Sequence, residues 1–310
     1  MLIVTGSIAY DYVMDFPGKF GDHILPDQLH KINLSFNVSN FAKRRGGTAG
    51  NVSYSLGLLQ TPHILFATAG KDFEEYKKDF SKLGINTDSV KVEKNSYTST
   101  GFAMEDKTHN QIWGYFLGAS KNNYALNLKK VAKKNDLVLV GPTGAKGSMS
   151  FVSQCVKLGI DYMFDPGFIL TEVKNDKLEF GIKNAKYIIG NDYEITLMRS
   201  RVKNFDKIIK DKILIITLGE KGAAINDSGK IIKVPTAKIK KVVDPTGCGD
   251  AWRSGFLAGL QREFDLKTCG QIGSIASAFA IESYGGQEHV YTKKQFENRY
   301  RQNFGALIKL

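Results

Sequence analysis

The most informative segment of the chain runs from Val243 to Leu260 and reads VDPTGCGDAWRSGFLAGL. Gly247 and Gly249 permit a tight turn in which successive backbone N–H groups point into one cavity. The small residues that follow indicate a closely packed helix that begins at the turn. Because free N–H groups and the positive end of a helix dipole attract negative charge, this segment predicts an anion-binding site.

Asp250 is predicted to lie in the first turn of that helix. A carboxylate there can accept a proton beside a transferring phosphoryl group, and the alternative is that it caps the helix N-terminus. Capping explains one Asp, but it does not explain two glycines and a second carboxylate at Asp244. We therefore predict that Asp250 is a catalytic base and that the Gly247, Cys248 and Gly249 amides stabilise the transferred group.

Short apolar strands alternate with helical patterns through the central and C-terminal parts of the chain. Strands are predicted at residues 137–140, 162–164, 187–189 and 213–218. Near-continuous apolar strands of this kind are typical of a parallel sheet that is covered on both faces. The predicted fold is therefore α/β, with a central, mostly parallel sheet flanked by helices and ligands bound beyond the carboxyl ends of its strands.

Two segments, at about residues 12–45 and 96–117, interrupt this alternation. Both contain extended runs and are rich in aromatic residues. The simplest arrangement is a small antiparallel sheet that projects as a lid from a single domain covering residues 1–310. Ordinary surface hairpins are the alternative.

Composition and cysteine content narrow the class of protein. The chain has 310 residues, of which 42% are hydrophobic, and it contains seven prolines, values typical of a globular protein. No apolar run approaches the roughly 20 residues needed to span a bilayer, and the N-terminus begins as a strand rather than a signal peptide. Three widely spaced cysteines favour a reducing cytosol over disulfides or zinc. We expect a cytoplasmic protein without a membrane partner.

The formal charge of +12 raises the question of nucleic-acid binding. The basic residues are scattered lysines rather than an arginine and aromatic stripe, so we expect a solvated surface and no nucleic-acid partner. Residues 141–148 mimic a phosphate-binding loop, but Lys146 precedes Gly147, which breaks the required order. The histidines are isolated in sequence and are predicted to be structural: His23, His30, His63, His109 and His289.

Four segments of the chain together resemble the PfkB, or ribokinase-like, family of carbohydrate kinases. Residues 244–250 are similar to the family signature D-T-x-G-x-G-D, with Pro245 in place of the usual Thr. GGTAGN at 46–51 resembles the upstream glycine signature, NDYE at 191–194 the N-x-x-E element, and TLGEKG at 217–222 the turn below the nucleotide phosphates. They occur in family order over almost the whole chain, and they imply an ATP-dependent phosphotransferase with an alcohol acceptor.

The resemblance also implies roles on the acceptor and magnesium sides of the site. Gly47 would let the substrate approach the backbone, and Asn51 would hydrogen-bond substrate hydroxyls. Asn191 and Glu194 would help to place Mg²⁺ and phosphate, with Glu194 acting on the metal indirectly.

The ATP phosphates and a monovalent cation are assigned in the same way. The resemblance implies that ATP lies along the turn that contains Thr217, Gly219 and Gly222. Asp244, with Thr246, resembles the family's monovalent-cation loop, for which K⁺ is the candidate ion.

Within the family, the start of the chain resembles the bacterial adenosine kinases of mycobacterial type. The matching segments are GSIAYD at 6–11 and ESYGGQE at 282–288. Asp11 follows the first strand, and a carboxylate there can accept two hydrogen bonds from vicinal ribose hydroxyls. Ser7 and Asp11 are therefore predicted substrate contacts.

The residues that would recognise the base are less clearly indicated by the sequence. Phe102, Tyr115 and Phe116 occur where that branch places aromatics against the purine, and packing within the lid is the alternative for each. That branch also carries two glutamines after an Asp-Pro-Ser segment, whereas Gly167 and Phe168 follow Asp-Pro here. The recognition of the base therefore stays open.

We predict from these patterns a kinase that transfers the γ-phosphoryl group of ATP to the 5′-hydroxyl of a nucleoside, with adenosine first, in purine salvage. The alternatives are a kinase of ribose or another furanose and a non-catalytic nucleotide sensor. Retention of Asp250 and both cradle glycines argues against the sensor. The predicted lid is a candidate surface for a homodimer. The exact acceptor, the oligomeric state and the cation requirement are left open.

Overall fold

A computed structural model describes residues 1–108 and 110–310, so His109 lies outside the described residues. The strands are β1 (Leu2–Thr5), β2 (Ala9–Asp15), β3 (Asn40–Gly46), β4 (His63–Leu65), β5 (Thr68–Gly70), β6 (Lys91–Glu93), β7 (Ser99–Glu105), β8 (Gln111–Phe116), β9 (Leu137–Val140), β10 (Asp161–Phe164), β11 (Tyr187–Asn191), β12 (Ile213–Thr217), β13 (Ala223–Asp227) and β14 (Lys230–Val234). The helices are α1 (Thr48–Leu58), α2 (Glu74–Lys82), α3 (Ala145–Leu158), α4 (Asn175–Asn184), α5 (Asp192–Arg201), α6 (Phe205–Ile208), α7 (Cys248–Gln261), α8 (Leu266–Ala280) and α9 (Lys293–Phe304).

The large sheet has the strand order β14-β13-β12-β11-β10-β9-β1-β4. Neighbouring strands are parallel from β4 through β12, and β13 and β14 extend the sheet as antiparallel strands. The predicted mostly parallel sheet is confirmed, and the strands predicted at 137–140, 162–164, 187–189 and 213–218 are its members β9 to β12. Because β11 and β12 pair in register up to Asn191 and Thr217, these two polar residues meet at the carboxyl edge of the sheet.

Helices cover both faces of the large sheet because successive residues of a strand point to opposite sides. Leu2 and Val4 of β1 belong to one hydrophobic core, which includes Phe256 of α7. Ile3 belongs to the other, which includes Phe151 of α3. The first core joins the sheet to α1, α7, α8 and α9, and the second joins it to α3, α4 and α5. The layered α/β arrangement follows directly from this alternation.

A small sheet with the order β3-β2-β7-β8 projects from the large one. β2 pairs with β3, and β7 with β8, in antiparallel fashion, but β2 and β7 are parallel. The predicted small antiparallel sheet is thus antiparallel in its two outer pairs and parallel at its centre. The two antiparallel pairs come from distant parts of the chain and join side by side, so nothing requires their inner strands to run in opposite directions.

The register of the small sheet separates its residues onto two faces. Asp11 pairs with Arg44 on one side and with Gly101 on the other, and Gly101 pairs in turn with Tyr115. These residues share one face, which we call the inner face. Tyr12 and its partner Phe102 point to the opposite, outer face because side chains alternate along a strand.

None of the helices formed by residues 1–108 and 110–310 is both long enough and apolar enough to cross a membrane. These residues also contain no cluster of three or more His, Cys, Asp or Glu side chains arranged to hold a metal ion.

Candidate active site

The predicted anion-binding turn lies at the N-terminus of α7. Gly247 is the N-cap residue of α7, with φ 75° and ψ −1°. Because glycine has no side chain, no side-chain hydrogen bond caps the helix at this position. A Cβ at Gly247 would come 2.5 Å from the Cα of Gly286, so both the backbone conformation and the close packing require glycine. Asp250 is the third residue of the helix rather than its cap. Capping therefore does not account for Asp250.

Asp250 accepts a hydrogen bond of 2.8 Å from Asn51 Nδ2. Burial raises the pKa of Asp250 to about 6. The Arg253 charge and the Asn51 hydrogen bond act to lower this pKa, whereas the charges of Asp165 and Glu194 raise it further by smaller amounts. A carboxylate with this pKa is ionised at neutral pH and retains a substantial affinity for a proton. These are the properties that general-base catalysis requires.

Arg253 lies one helical turn after Asp250 and forms an ion pair with Asp165. The Nε–Oδ2 distance is 2.5 Å, and Arg253 Nη2 donates to Asp165 Oδ1 at 2.7 Å. The residues are 8% and 1% exposed. Asp165 follows β10, so this buried pair joins α7 to the carboxyl edge of the large sheet and holds a positive charge near Asp250.

The inner face of the small sheet presents a second carboxylate, Asp11. Burial raises the pKa of Asp11 to about 6; Arg44 opposes the shift, and the charge of Asp250 adds to it. The two carboxylates are therefore near enough for the charge of Asp250 to act on Asp11. A substrate between them would meet Asp11 from the small sheet and Asp250 from the cradle.

The glycine segment at 46–51 connects β3 to α1 and brings Asn51 to this site. Gly47 is the N-cap residue of α1, and Ser7 Oγ accepts a hydrogen bond from Thr48 N at 3.2 Å. Ser254 of α7 donates to Val52 O at 3.1 Å, which ties the two helices together. This packing sets Asn51 against Asp250, although 199 residues separate them.

The aromatic residues of the small sheet divide between its faces. Tyr115 is on the inner face with Asp11, whereas Phe102 and Phe116 are on the outer face, where Phe102 stacks on Tyr12 at 5.4 Å between ring centroids. The strand register therefore favours Tyr115 over Phe102 and Phe116 as a neighbour of Asp11, and a contact of any of the three with the acceptor stays a prediction. Trp113 is on the inner face instead and stacks on Tyr115 at 5.4 Å.

A cavity of about 920 Å³ lies beyond the carboxyl edge of the large sheet and reaches the cradle. The cavity is lined by residues from each segment predicted to bind ATP and by the predicted base. Those residues are Asn191, Glu194, Thr217, Gly219, Gly222, Cys248, Gly249 and Asp250. The fold thus brings together segments that are spread over 60 positions of the chain, from 191 to 250.

Asn191 and Glu194 cap helix α5 as well as lining the cavity. Asn191 Oδ1 accepts from Glu194 N at 2.8 Å, and Glu194 Oε2 accepts from Asn191 N at 2.8 Å. Burial, followed by the charge of Asp165, raises the pKa of Glu194 above its usual value. This reciprocal cap orients both side chains at the edge of the sheet.

Asp244 is held by donors from three parts of the chain. Its Oδ1 accepts from Thr246 N at 2.8 Å, and its Oδ2 accepts from Gly285 N at 2.8 Å and lies 3.4 Å from Arg44 Nη1. Burial opposes ionisation, but the hydrogen bonds from Thr246 and Gly285 and the charge of Arg44 together lower the pKa of Asp244. Arg44 thereby connects the small sheet to the loop before the cradle.

Sequence patterns did not identify Arg44, Asp165, Arg253 or Gln287 as site residues. A signal existed for Arg253, since a residue three positions after Asp250 lies on the same side of a helix. Asp165 directly follows a predicted strand, at a position where ligand-binding residues are expected. Arg44 and Gln287 gave no comparable signal because their partners depend on strand register and loop packing.

The chain is similar over most of its length to known proteins. A family profile, pfkB family carbohydrate kinase, matches residues 9–293. The chain is 28% identical over 296 residues to a nucleoside kinase of Methanocaldococcus jannaschii, covering 93% of this chain and 92% of that protein. The structure of a Burkholderia thailandensis nucleoside kinase in complex with inosine has a TM-score of 0.89 at 33% identity, with 100% of both chains covered. The same kinase in complex with ADP-inosine has a TM-score of 0.86 at 35% identity, with 100% of this chain and 98% of that chain covered.

Proposed function

The chain belongs to the pfkB family of carbohydrate kinases, phosphotransferases that act on an alcohol, and we propose that its acceptor is the 5′-hydroxyl of a nucleoside. The observation that carries the proposal is that Asp11, on the inner face of the small sheet, lies near enough to Asp250 for the Asp250 charge to raise the pKa of Asp11. Asp11 would hold two vicinal ribose hydroxyls, which leaves the primary hydroxyl for Asp250. Relatives that are nucleoside kinases, one of them in complex with inosine, support this choice.

In the proposed reaction, Asp250 accepts the proton of the primary hydroxyl as its oxygen attacks the γ-phosphorus of ATP. The Gly247 and Gly249 amides stabilise the transferring group at the N-terminus of α7. The Cys248 N–H, also predicted for this role, already donates to Pro245 O at 3.2 Å. Asn51 donates to Asp250 and keeps its carboxylate oriented. Transfer of this kind depends mostly on positioning and electrostatic stabilisation, which these residues supply.

ATP and Mg²⁺ are proposed to bind in the 920 Å³ cavity. The phosphates would lie along Thr217, Gly219 and Gly222 beside Asn191, and Glu194 would act on Mg²⁺ through its water shell. Mg²⁺ commonly keeps several waters and binds mainly through substrate phosphates, so the sparse carboxylates of the cavity fit it. The bound ion would neutralise charge on the phosphate oxygens.

K⁺ is proposed to bind at the loop containing Asp244 and Thr246. Part of the Asp244 charge is already balanced by Arg44 and by backbone donors. We therefore infer that K⁺ neutralises only the part of the Asp244 charge that Arg44 and the backbone donors leave unbalanced.

Within the proposed class, adenosine is the first acceptor to test, with AMP as product and purine salvage as the process. The small sheet would act as the lid of a single domain, with Trp113 and Tyr115 offering aromatic surface to a base on the inner face. Phe168 lines the nearby cavity and is 48% exposed, so it offers apolar contact rather than the amide donors of the adenosine kinase branch. Adenosine and inosine are for this reason both included in the test below.

A homodimer through the small sheet is also proposed. Its outer face exposes Phe41, Phe102, Ile112 and Phe116, which are 47–58% exposed. A contiguous apolar surface of this kind favours association. Sedimentation velocity of wild type and of Phe102→Glu would test it, since a monomeric wild type would contradict the proposal.

Cytoplasmic location is proposed from the chemistry of the chain. Cys155, Cys248 and Cys269 are free thiols. A reducing compartment that supplies ATP suits both the thiols and the proposed reaction.

The decisive experiment measures ADP release with adenosine, inosine, guanosine, cytidine, ribose and fructose. We expect the highest kcat/KM with a purine nucleoside. Faster turnover of ribose or fructose would replace the nucleoside by a sugar as acceptor. ATP binding without turnover of any acceptor would favour the nucleotide sensor.

A further inference from the structure

Gln287 lies in the loop between α8 and α9 and is 1% exposed. Its Nε2 donates to Asn51 Oδ1 at 2.9 Å and also to the Tyr76 hydroxyl. Its Oε1 is buried, with no hydrogen-bond partner among the described residues. A buried amide that leaves its oxygen unpaired is unfavourable for stability, so the presence of Gln287 here calls for a reason beyond packing.

The contacts of Gln287 determine which of its ends faces Asn51. The Tyr76 hydroxyl donates to Gly46 O at 2.9 Å, so it can only accept from Gln287. The Gln287 end that faces Tyr76 and Asn51 must then be the N–H end, because Nε2 is the donor and Oε1 the acceptor of an amide. The same loop is pressed against Asn51, since a Cβ at Gly286 would come 2.6 Å from the Asn51 side chain.

We propose that Gln287 is a positioning residue that fixes the orientation of the Asn51 amide and so directs the Asn51 N–H group at Asp250. An Asn amide presents an oxygen or a nitrogen depending on a 180° rotation. With Gln287 donating to Oδ1, only Nδ2 remains for Asp250, which it reaches at 2.8 Å. This inference rests on the proposed role of Asp250 as the base, but it does not depend on which acceptor is used.

Without Gln287, the Asn51 amide would be free to rotate by 180°. Its oxygen, rather than its N–H group, could then face Asp250. The charged groups around Asp250 are Arg253 on the same helix, Asp165 after β10, Glu194 on α5 and Asp11 on β2. Arg253 favours the ionised carboxylate, and the acidic groups oppose it. The Asn51 donor acts in the same sense as Arg253, so releasing it shifts Asp250 towards the protonated, inactive form.

The test is a double-mutant cycle with Gln287→Met and Asn51→Ala, assayed with the acceptor that wild type turns over fastest. We expect Gln287→Met to lower kcat about tenfold with less than a twofold change in the KM for ATP. In the Asn51→Ala background, the same substitution should change kcat less than twofold. Equal effects in the two backgrounds would overturn the proposal, because Gln287 would then act independently of Asn51.

A ¹³C NMR titration of the Asp250 carboxyl carbon gives a readout that does not require activity. Asp250→Asn identifies the signal, and Gln287→Met should raise the pKa of Asp250 in the presence of Asn51 but not in its absence. An unchanged pKa overturns the proposal. If wild type phosphorylates no acceptor, the proposed function fails, and this titration still decides the role of Gln287.

Two further variants control for folding. Gln154→Met removes an amide that bonds Leu126 O at 2.9 Å and Leu128 N at 2.8 Å away from the site, and it should leave the Asp250 titration unchanged. Tyr76→Phe keeps the bond from Gln287 to Asn51 but removes the Tyr76 hydroxyl, the second acceptor of Gln287 Nε2. It should lower kcat about two- to threefold, and only when Asn51 is present. If Gln287→Met does not fold, a Tyr76→Phe effect that persists without Asn51 overturns the proposal.

Discussion

Arg253 and Asp165 form a buried ion pair, with Arg253 Nη2 2.7 Å from Asp165 Oδ1, between the helix that carries the proposed base and the edge of the large sheet. The pair has a structural consequence and an electrostatic one. It anchors the first turns of α7 to β10, and it keeps a positive charge beside Asp250, whose pKa that charge lowers.

Arg253→Met should therefore reduce both stability and activity. Leaving Asp165 buried without its partner costs about 3–5 kcal/mol, which is measurable as a lower midpoint of urea unfolding. Adding Asp165→Leu should recover much of that stability but not kcat, since the charge beside Asp250 is still missing. Recovery of full kcat in the double variant would mean that the pair is only structural.

Asp250→Asn should lower kcat by about 10² or more, because general-base catalysis typically supplies that much. The binding of ATP should change little, as isothermal titration calorimetry can check. Asp206→Asn, at an exposed ion pair with Arg199, is the matched control and should retain wild-type kcat. A variant with near-normal turnover would remove Asp250 from the role of base.

The pH dependence of stability provides a separate test of the same residue. Burial raises the pKa of Asp250 from 3.8 to about 6, so the native state binds the proton more tightly than the unfolded state does. This contribution to stability is complete below pH 3.8 and is lost as the pH rises through 6. At pH 8, Asp250→Asn should therefore melt at a higher temperature than wild type. A lower melting temperature would contradict the assignment of a buried carboxylate with a raised pKa.

Activity should fall on acidification with an apparent pKa near 6. Burial raises the pKa values of Asp250 and Asp11 to about 6, and the roles proposed for them require both to be ionised in the free enzyme. The acid limb of log kcat/KM should for this reason have a slope greater than one, with apparent values that belong to the pair. In Asp11→Asn the slope should fall to one. A slope of one in wild type would show that only one of them titrates in this range.

Asp11→Ala should raise the KM for the nucleoside about 10- to 100-fold and leave ATP affinity unchanged. This range corresponds to the loss of a charged hydrogen-bond partner, about 1.5 to 3 kcal/mol. The 2′-deoxynucleoside offers a matched comparison because it lacks one of the hydroxyls. If the variant still rejected the deoxy substrate as strongly as wild type does, Asp11 would not be the residue that reads the ribose.

Arg44→Met should increase the dependence of activity on K⁺. Arg44 Nη1 lies 3.4 Å from Asp244 Oδ2 and balances part of its charge. Without Arg44, an added cation has more charge to neutralise, so the ratio of kcat in 100 mM KCl to kcat in choline chloride should rise several-fold. Lys240→Met, at an exposed basic residue near the same loop, is the control. An unchanged ratio in Arg44→Met would separate Arg44 from the cation loop.

Local patterns were sufficient to predict the main features of the fold. The apolar runs at 137–140 and 187–189 became parallel strands because only a sheet covered on both faces can bury such runs. The turn at Gly247 was predictable because its backbone conformation and contacts exclude a side chain. Trp113, Phe102 and Phe116 could not be assigned in the same way, since a face of the small sheet is defined only once β2, β7 and β8 are in register.

The amino-acid sequence by itself determined the sheet strands, the glycine cradle and the position of Asp250 at the start of its helix, because each depends on neighbours within a few residues. The tertiary structure alone decided that Asn51 donates to Asp250, that Gln287 orients Asn51 and that Arg253 pairs with Asp165. These contacts join residues 88 to 236 positions apart. Hydrogen bonds and ion pairs act over a few ångströms, so such partners become definite only after the chain has packed.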